Sequence, residues 1–209
     1  MKRKDFSKLK VEVQEEKSFH FEHENYIAGL APYLRGIFSS MYMQEPLKTT
    51  ISNNIPFPEN IPPEIELSNF LTKSLHFIQT RIKENTLIDQ CVSTLVFHTT
   101  VSENHFDEIT KMRAARILWA NLIKLFNAKN QDSLALNIHA YANNYLNTLT
   151  VILGGCQTLT SKDKSYLFFE EETNILKTVD PWAGSFYIEK RTADIANKAW
   201  LLFSRENNM

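Results

Sequence analysis

The sequence predicts an α/β fold with parallel strands, and three observations support that prediction. From residue 67 onward, segments with helical periodicity alternate with short runs rich in β-branched and aromatic residues. Hydrophobic residues make up 43% and charged residues 22% of the 209 residues, a balance that allows a sizeable core and excludes wholesale disorder. The first third of the chain, by contrast, is irregular and rich in proline between residues 47 and 63.

These features divide the chain into two predicted parts. Residues 1–63 form an N-terminal arm and proline-rich connector, in which residues 1 to about 25 are polar and weakly structured. Residues 64–209 form the α/β domain. Only two or three strands are evident in that domain. A complete eight-stranded α/β barrel needs about 200 to 250 residues, so this chain is too short to close one.

Helical periodicity predicts five helices in the second part. The first runs over residues 67–85, with Ser68 or Asn69 as its N-cap, and a longer one covers residues 103–129. A third, over residues 144–155, ends at the Gly154-Gly155 pair. Residues 164–176 and 192–206 form the last two, and Thr192 is the candidate N-cap of the final helix.

Strand composition predicts extended segments at residues 90–100 and 133–139, and a strand or hairpin arm at residues 184–190.

Composition excludes several classes of function. A net charge of −1 leaves no basic field for nucleic acid or an acidic membrane. Five glycines provide neither a P-loop nor a GxGxxG motif. Two cysteines, Cys91 and Cys156, are too few for a disulfide framework or a four-cysteine zinc site, and we predict no metal site. The charged N-terminus lacks a secretory h-region and no run approaches 18 apolar residues, so we expect a cytoplasmic protein without a membrane span.

Three segments resemble one enzyme family. The segment "AGLAPYLRGIFSSMYMQEP" (residues 28–46) is similar to the N-terminal arm of methylmalonyl-CoA mutase and related acyl-CoA mutases. Residues 103–140, which contain "KMRAARILWANLIKLF", resemble that family's "KLRAARxLWAxLxKxF". The pair "LGGCQTL" and "VDPWAGSFYIE" resembles "LGGTQSL" and "VDPWAGSYYVE", in the family's order. The resemblance covers roughly half the chain and implies an incomplete (β/α) barrel-like domain behind an irregular arm.

The resemblance also implies a chemistry. Family members are isomerases that use adenosylcobalamin to rearrange methylmalonyl-CoA and succinyl-CoA, and their acyl-CoA lies inside the barrel beside a separate cobalamin domain. Carried over residue by residue, His139 is the candidate catalytic residue, because it stands at a histidine that faces the reaction pocket. The implied substrate-binding residues are Ser40, Met41, Arg113, Arg116, Gln157 and Thr158.

Four of the implied roles have a structural alternative. His139 after an apolar strand is more often a satisfied core histidine. Helical arginines such as Arg113 and Arg116 are usually solvated or ion-paired. Gln157, which follows two glycines, could bond only to backbone.

The departures from the family pattern concern polar positions. Phe38 replaces the tyrosine of "RGPY", and Glu45 replaces the arginine that precedes "PW". Asn137 and Tyr141 replace the arginine and glutamine around His139, and Asp132 replaces a lysine. The cobalamin-binding signature DxHxxG is missing from the chain, and long family segments have no counterpart.

These losses lead to three hypotheses. The chain is a reduced mutase that needs a partner carrying cobalamin, a non-catalytic subunit that pairs with a full mutase chain, or a decayed coding sequence with no stable product. By itself it should bind neither adenosylcobalamin nor methylmalonyl-CoA tightly, and we expect an exposed apolar face where barrel strands are missing.

Overall fold

The computed structural model describes residues 20–56 and 61–207, so the predictions for residues 1–19, 57–60 and 208–209 lie outside the described residues. Four parallel strands form one sheet: β1 (Lys48–Ile51), β2 (Val96–Thr100), β3 (Asn137–Ala142) and β4 (Thr158–Ser161). Their order is β1-β4-β3-β2. The first strand therefore pairs with the last, as it does in a closed barrel, and the sheet is open between β1 and β2. This confirms the α/β class and the incomplete barrel.

Six helices and three short 3₁₀ turns accompany the sheet in the described ranges. The helices are α1 (Pro63–Lys83), α2 (Ile88–Val92), α3 (His105–Lys124), α4 (Tyr145–Gly154), α5 (Ser165–Glu171) and α6 (Phe186–Glu206). The 3₁₀ turns are Met41–Met43, Gln131–Leu134 and Ile175–Lys177. None of these helices is long and apolar enough to cross a membrane.

Helix α3 is the centre of the core. It contacts α1, α4 and α6, and Trp119 is fully buried on it, with its indole N–H donating to the Ser133 carbonyl at 3.2 Å. Alternate strand residues such as Phe97, Ile138 and Leu159 point into the same core. Burial of each such side chain contributes about 1.5–3 kcal/mol, so the helix layer on this side of the sheet provides most of the apolar stabilisation.

Two predicted helix starts are wrong. Helix α1 begins at Pro63 with Pro62 as N-cap, and not at Ser68 or Asn69. Proline is tolerated in the first turn because that amide has no partner within the helix. Thr192 is not an N-cap either, since it is fully buried inside α6.

The predicted strand at residues 184–190 is also wrong, because its residues from Phe186 onward form the first turns of α6. Their β propensity is overridden by tertiary contacts: Ile188 is buried, and Glu189 accepts hydrogen bonds from two arginines.

The segment predicted as one strand at residues 90–100 is divided, with α2 before β2. Strand β4 was not expected.

The segment predicted as a connector contributes to the sheet. Strand β1 pairs with β4 from Lys48 to Ile51, although all four of its residues are exposed. The division of the chain at residue 63 stays a prediction. The rest of the arm between residues 20 and 47 is irregular, as expected, apart from the turn at Met41–Met43.

Candidate functional site

The side of the sheet that points away from the core carries polar side chains. Because paired residues of a parallel sheet lie on the same face, the strand register puts His98, His139 and Thr158 in one row. Thr100, Tyr141 and Thr160 form the next row. We call these six residues the polar sheet face. The inward face of the partial barrel is therefore polar, and the exposed apolar surface that we expected beside the missing strands lies at the sheet edges instead, at Ile51 of β1 and in a groove beside β2.

His139 lies at the centre of the polar sheet face. Its Nδ1 is 2.7 Å from the Thr158 hydroxyl, and its Nε2 is 3.1 Å from the Thr160 hydroxyl. Its ring also contacts those of His98 and Tyr141, with centroids 5.0 and 4.7 Å away. Strand alternation explains this placement, because "NIHAY" turns Ile138 and Ala140 into the core and His139 and Tyr141 outward.

The environment of His139 favours its neutral form. Burial lowers the pKa of the His139 imidazole, and the neighbouring His98 lowers it further. A neutral imidazole donates one hydrogen bond and accepts another, so His139 and its two threonines form a short chain of reorientable hydrogen bonds. Such a chain can hold a carbonyl or carboxylate oxygen.

Gln157 and Thr158 lie side by side but face different partners. The Gln157 side chain accepts from the Ile138 amide at 2.9 Å and donates to the Gly155 carbonyl at 3.1 Å. These are the backbone bonds of the structural alternative. Thr158, in contrast, belongs to the polar sheet face and contacts His139. Substrate binding by either residue stays a prediction.

Ser40 and Met41 belong to the arm. Ser40 precedes the 3₁₀ turn, is partly exposed, and has no side-chain capping bond. Met41 is buried beside Gly36 and Gly155. The next residue, Tyr42, ties this turn to α4, because its hydroxyl donates to the carbonyls of Cys156 and Ile152 at 2.9 and 3.2 Å. The structure thus places Ser40 beside this turn with its side chain partly exposed, and its role toward a substrate stays a prediction.

Arg116 is buried and bonds to backbone. Its guanidinium donates to the carbonyls of Gly154 and Gly155 at 2.7 and 2.5 Å, which are orphan acceptors at the end of α4. Burial, with the charge of Arg113 nearby, lowers the pKa of Arg116 to about 10. These contacts match the structural alternative for this arginine.

Arg113 belongs to a buried ion cluster, which comprises His23, Arg35, Arg113, Asp180 and Glu189. Glu189 accepts from Arg35 at 2.7 Å and from Arg113 at 2.9 Å, and His23 lies 2.9 Å away. Arg113 also bonds to Asp180, and Arg35 is 3.4 Å from it. The cluster therefore joins the arm, α3, the "DPWAG" loop and α6.

The charges of the buried ion cluster support one another. Burial alone would raise the pKa of the Glu189 carboxyl, but the hydrogen bond from His23 and the charge of Arg113 outweigh it, so the pKa is lowered. Glu189 stays ionised and balances the two guanidinium groups. Arg113 is consequently already occupied by internal carboxylates.

Sequence reasoning missed four members of the polar sheet face as candidates: His98, Thr100, Tyr141 and Thr160. The signal that could have found His98 is the alternation in "VFHTT", which puts Phe97 and Thr99 on one side and His98 and Thr100 on the other. Thr160 belongs to a strand that was not predicted, so its partnership with His139 needed the tertiary structure.

The residues that the structure describes do not fit the adenosylcobalamin implied by the resemblance. Within residues 20–56 and 61–207, no group of three or more His, Cys, Asp or Glu side chains could hold a metal ion. His139 has a threonine hydroxyl within hydrogen-bond distance of each ring nitrogen, so binding to cobalt would require it to give up one of these contacts.

Comparison with known proteins agrees with the fold and the motifs. The sequence model of the family described as "Methylmalonyl-CoA mutase" matches residues 62–153 and 160–209. The chain is 29% identical over 178 residues to a methylmalonyl-CoA mutase large subunit of Porphyromonas gingivalis, covering 70% of this chain and 25% of the relative. It is 30% identical to a mitochondrial methylmalonyl-CoA mutase of Pongo abelii, covering 69% and 24%.

The chain thus spans about a quarter of the length of the curated relatives that it matches. The motif order, the parallel sheet that pairs its first strand with its last, and these matches agree with one another: the chain belongs to the methylmalonyl-CoA mutase family.

Proposed function

We propose that this chain is an acyl-CoA-binding member of the mutase family that does not carry out the rearrangement by itself. The observation that carries the proposal is the position of His139 between Thr158 and Thr160 on an open polar face. His139 and Thr158 are both motif positions, and the structure brings them into one hydrogen-bonded group. Imidazole and hydroxyl donors suit the thioester carbonyl or carboxylate of an acyl-CoA.

The isomerase reaction would then need a partner. The residues described here do not fit adenosylcobalamin, so a mutase subunit or other cobalamin-binding chain would supply it. Methylmalonyl-CoA and succinyl-CoA are the substrates that family membership suggests, and a cytoplasmic location goes with this proposal.

A second candidate function is a non-catalytic subunit of a complete mutase. The occupied arginines favour it, because Arg113 binds the carboxylates of Asp180 and Glu189, and Arg116 binds backbone carbonyls. Two positions that could have held substrate charges therefore serve the interior of this chain instead.

The polar sheet face is tested by titrating the protein with methylmalonyl-CoA while recording histidine resonances by NMR. We expect the His98 and His139 imidazole signals to shift, with a Kd weaker than micromolar, because only part of a barrel lines the site. His139→Ala and Thr158→Val should each weaken binding several-fold. His76→Ala, on the exposed surface of α1, is the matched control and should leave binding unchanged.

Three results would contradict the proposal. The first is a ligand that shifts signals only outside the polar sheet face. The second is micromolar binding of adenosylcobalamin to this chain alone, as measured from changes in the visible absorbance spectrum of the cofactor. The third is rearrangement of methylmalonyl-CoA by the chain without any partner.

A further inference from the structure

Both edges of the sheet are free among the residues that the structure describes. The Lys48 amide at the start of β1 donates to the Gln157 carbonyl just before β4, at 3.3 Å. The Ser52 amide just after β1 donates to the Ser161 carbonyl at the end of β4, at 3.0 Å. Successive amides of a strand point in opposite directions, so those of Thr49 and Ile51 point to the outer edge. This edge is exposed along its whole length.

The outer edge of β2 has the same property. The amide that follows the strand, that of Val101, donates to the Tyr141 carbonyl at 3.1 Å, toward β3. By the same alternation, the amides of His98 and Thr100 point away from β3. An unpaired parallel edge with its backbone donors and acceptors available is a template for another strand.

The topology defines the size of the opening between these edges. In an eight-stranded barrel every strand has two neighbours, and here β1, β4, β3 and β2 are consecutive members of such a ring. Within residues 20–56 and 61–207 the ring lacks four parallel strands, and they would have to run from the free edge of β1 to the free edge of β2. One copy of this sheet has that number of strands and the same direction.

An apolar groove lies beside the β2 edge, on the helix side of the sheet. It has a volume of about 480 Å³ and lies between α1 and β2, where Phe70, Phe77, Leu95 and Val96 line it. Ile51 lies at the opposite edge of the sheet. It is 56% exposed, and its register partner Ser161 is buried on the core side of β4. The groove and Ile51 therefore both lie on the helix side of the sheet, at its two opposite edges.

We propose that two copies of this chain close one eight-stranded barrel around a two-fold axis parallel to the strands. The β1 edge of each copy pairs in parallel with the β2 edge of the other, and Ile51 enters the groove of its partner. A rotation about the barrel axis keeps every strand pointing the same way, so both seams are identical. A complete mutase is a poorer occupant, because family resemblance implies that it already has all its own strands.

This assembly would complete the polar sheet face. In the closed ring, the faces of both copies turn toward one interior, so a site that one chain leaves open becomes enclosed. The assembly follows from strand edges and the groove, and it holds whether or not an acyl-CoA binds there.

The mass of the chain in solution tests the assembly directly. By light scattering at a protein concentration of about 100 μM, well above the Kd of a stable homodimer, we expect twice the 24.3 kDa of one chain. Thr49→Pro and Thr100→Pro each remove one outward amide and should shift the protein toward monomer at least ten-fold in Kd. Thr49→Ala and Thr100→Ala keep the amide and should remain dimeric. Circular dichroism checks that the proline variants are folded.

Cross-linking identifies the seam even if a proline variant unfolds. Both native cysteines are buried, and Thr50 and Thr100 lie on the same face of the sheet, so a chain that carries Thr50→Cys and Thr100→Cys together should give a covalent dimer with a short bifunctional maleimide. Either substitution alone should give no covalent dimer, because the two β1 edges lie on opposite sides of the ring, as do the two β2 edges. A monomeric wild type, a cross-link with Thr50→Cys alone, or a complex that forms only with a complete mutase chain would each overturn the proposal.

Discussion

The polar sheet face and the buried ion cluster both contain residues from the family motifs, but they use them in opposite ways. In the buried ion cluster, Arg113 and Glu189 bind each other inside the protein, where both are almost fully buried. On the polar sheet face, His139 and Thr158 lie in a partly exposed row. The difference shows that motif residues of the same family can hold the scaffold together in one place and remain available to a ligand in another.

The two regions should therefore respond differently to substitution. A buried charge that loses its partner costs several kcal/mol, because the remaining charge has no water to solvate it. Removing a polar side chain from a partly exposed face lowers the free energy of unfolding by about 1 kcal/mol or less, because water replaces the missing partner. This contrast between the regions is the basis of the following predictions.

The largest effect is expected for Glu189→Ala. This change removes the acceptor shared by Arg35, Arg113 and the Gly184 amide, and it should lower the free energy of unfolding by about 3–5 kcal/mol. His139→Ala should cost no more than about 1 kcal/mol, and Glu84→Ala, which removes an exposed ion pair with Arg81, should stay within about 0.5 kcal/mol of wild type. Urea denaturation measures all three. Equal losses for Glu189→Ala and His139→Ala would remove the distinction between the regions.

An intermediate effect is expected for Gly155→Ala, at the end of α4 where the Arg116 guanidinium donates to backbone carbonyls. Gly155 has φ +71°, and an added Cβ would lie 2.8 Å from Met41 and 3.0 Å from the Arg116 guanidinium. Strain and overpacking should together cost about 2–4 kcal/mol. Gly184→Ala is the matched control, since its φ is +75° with nothing within 4 Å of the Cβ; it should cost only the backbone strain, about 1–2 kcal/mol. If thermal unfolding showed the same loss for both, the packing around Arg116 would not matter.

The smallest effect is expected for His98→Ala and concerns pH. The pKa of His139 is lowered in the folded protein, so the folded state binds this proton less readily than the unfolded chain does. Protonation of His139 therefore destabilises the fold as the pH falls below about 6.5. Removing His98 takes away a neighbouring positive charge and some burial, and it should raise the pKa of His139 toward its ordinary value. An NMR titration of the His139 ring measures this. His76→Ala should not move it, and a fall after His98→Ala would contradict the assigned cause.

The sequence was sufficient for much of the fold. Periodicity correctly predicted α1, α3 and α4, since long amphipathic segments bury one face whatever their neighbours are. Gly155 ends α4 in the left-handed region, as the glycine pair predicted. The prediction was wrong at residues 186–190, because β-prone residues there became helical through contacts more than a hundred residues away, such as Glu189 with Arg35.

Less of the candidate site could be predicted. Motif resemblance indicated His139 from one motif and Gln157 and Thr158 from another, and the structure brings His139 and Thr158 together while turning the Gln157 side chain to the backbone. No local pattern distinguished those outcomes, because both kinds of side chain are polar and adjacent in sequence.

By itself, the sequence determined the class of the fold, its family and the positions of its long helices, because these depend on local periodicity and on motifs that are read one segment at a time. Only the tertiary structure decided which motif residues are buried in ion pairs, such as Arg113 and Glu189, and which lie on the partly exposed sheet face, such as His139 and Thr158. That outcome depends on strand register and on the pairing of β1 with β4, contacts between residues about 110 positions apart that no single segment encodes.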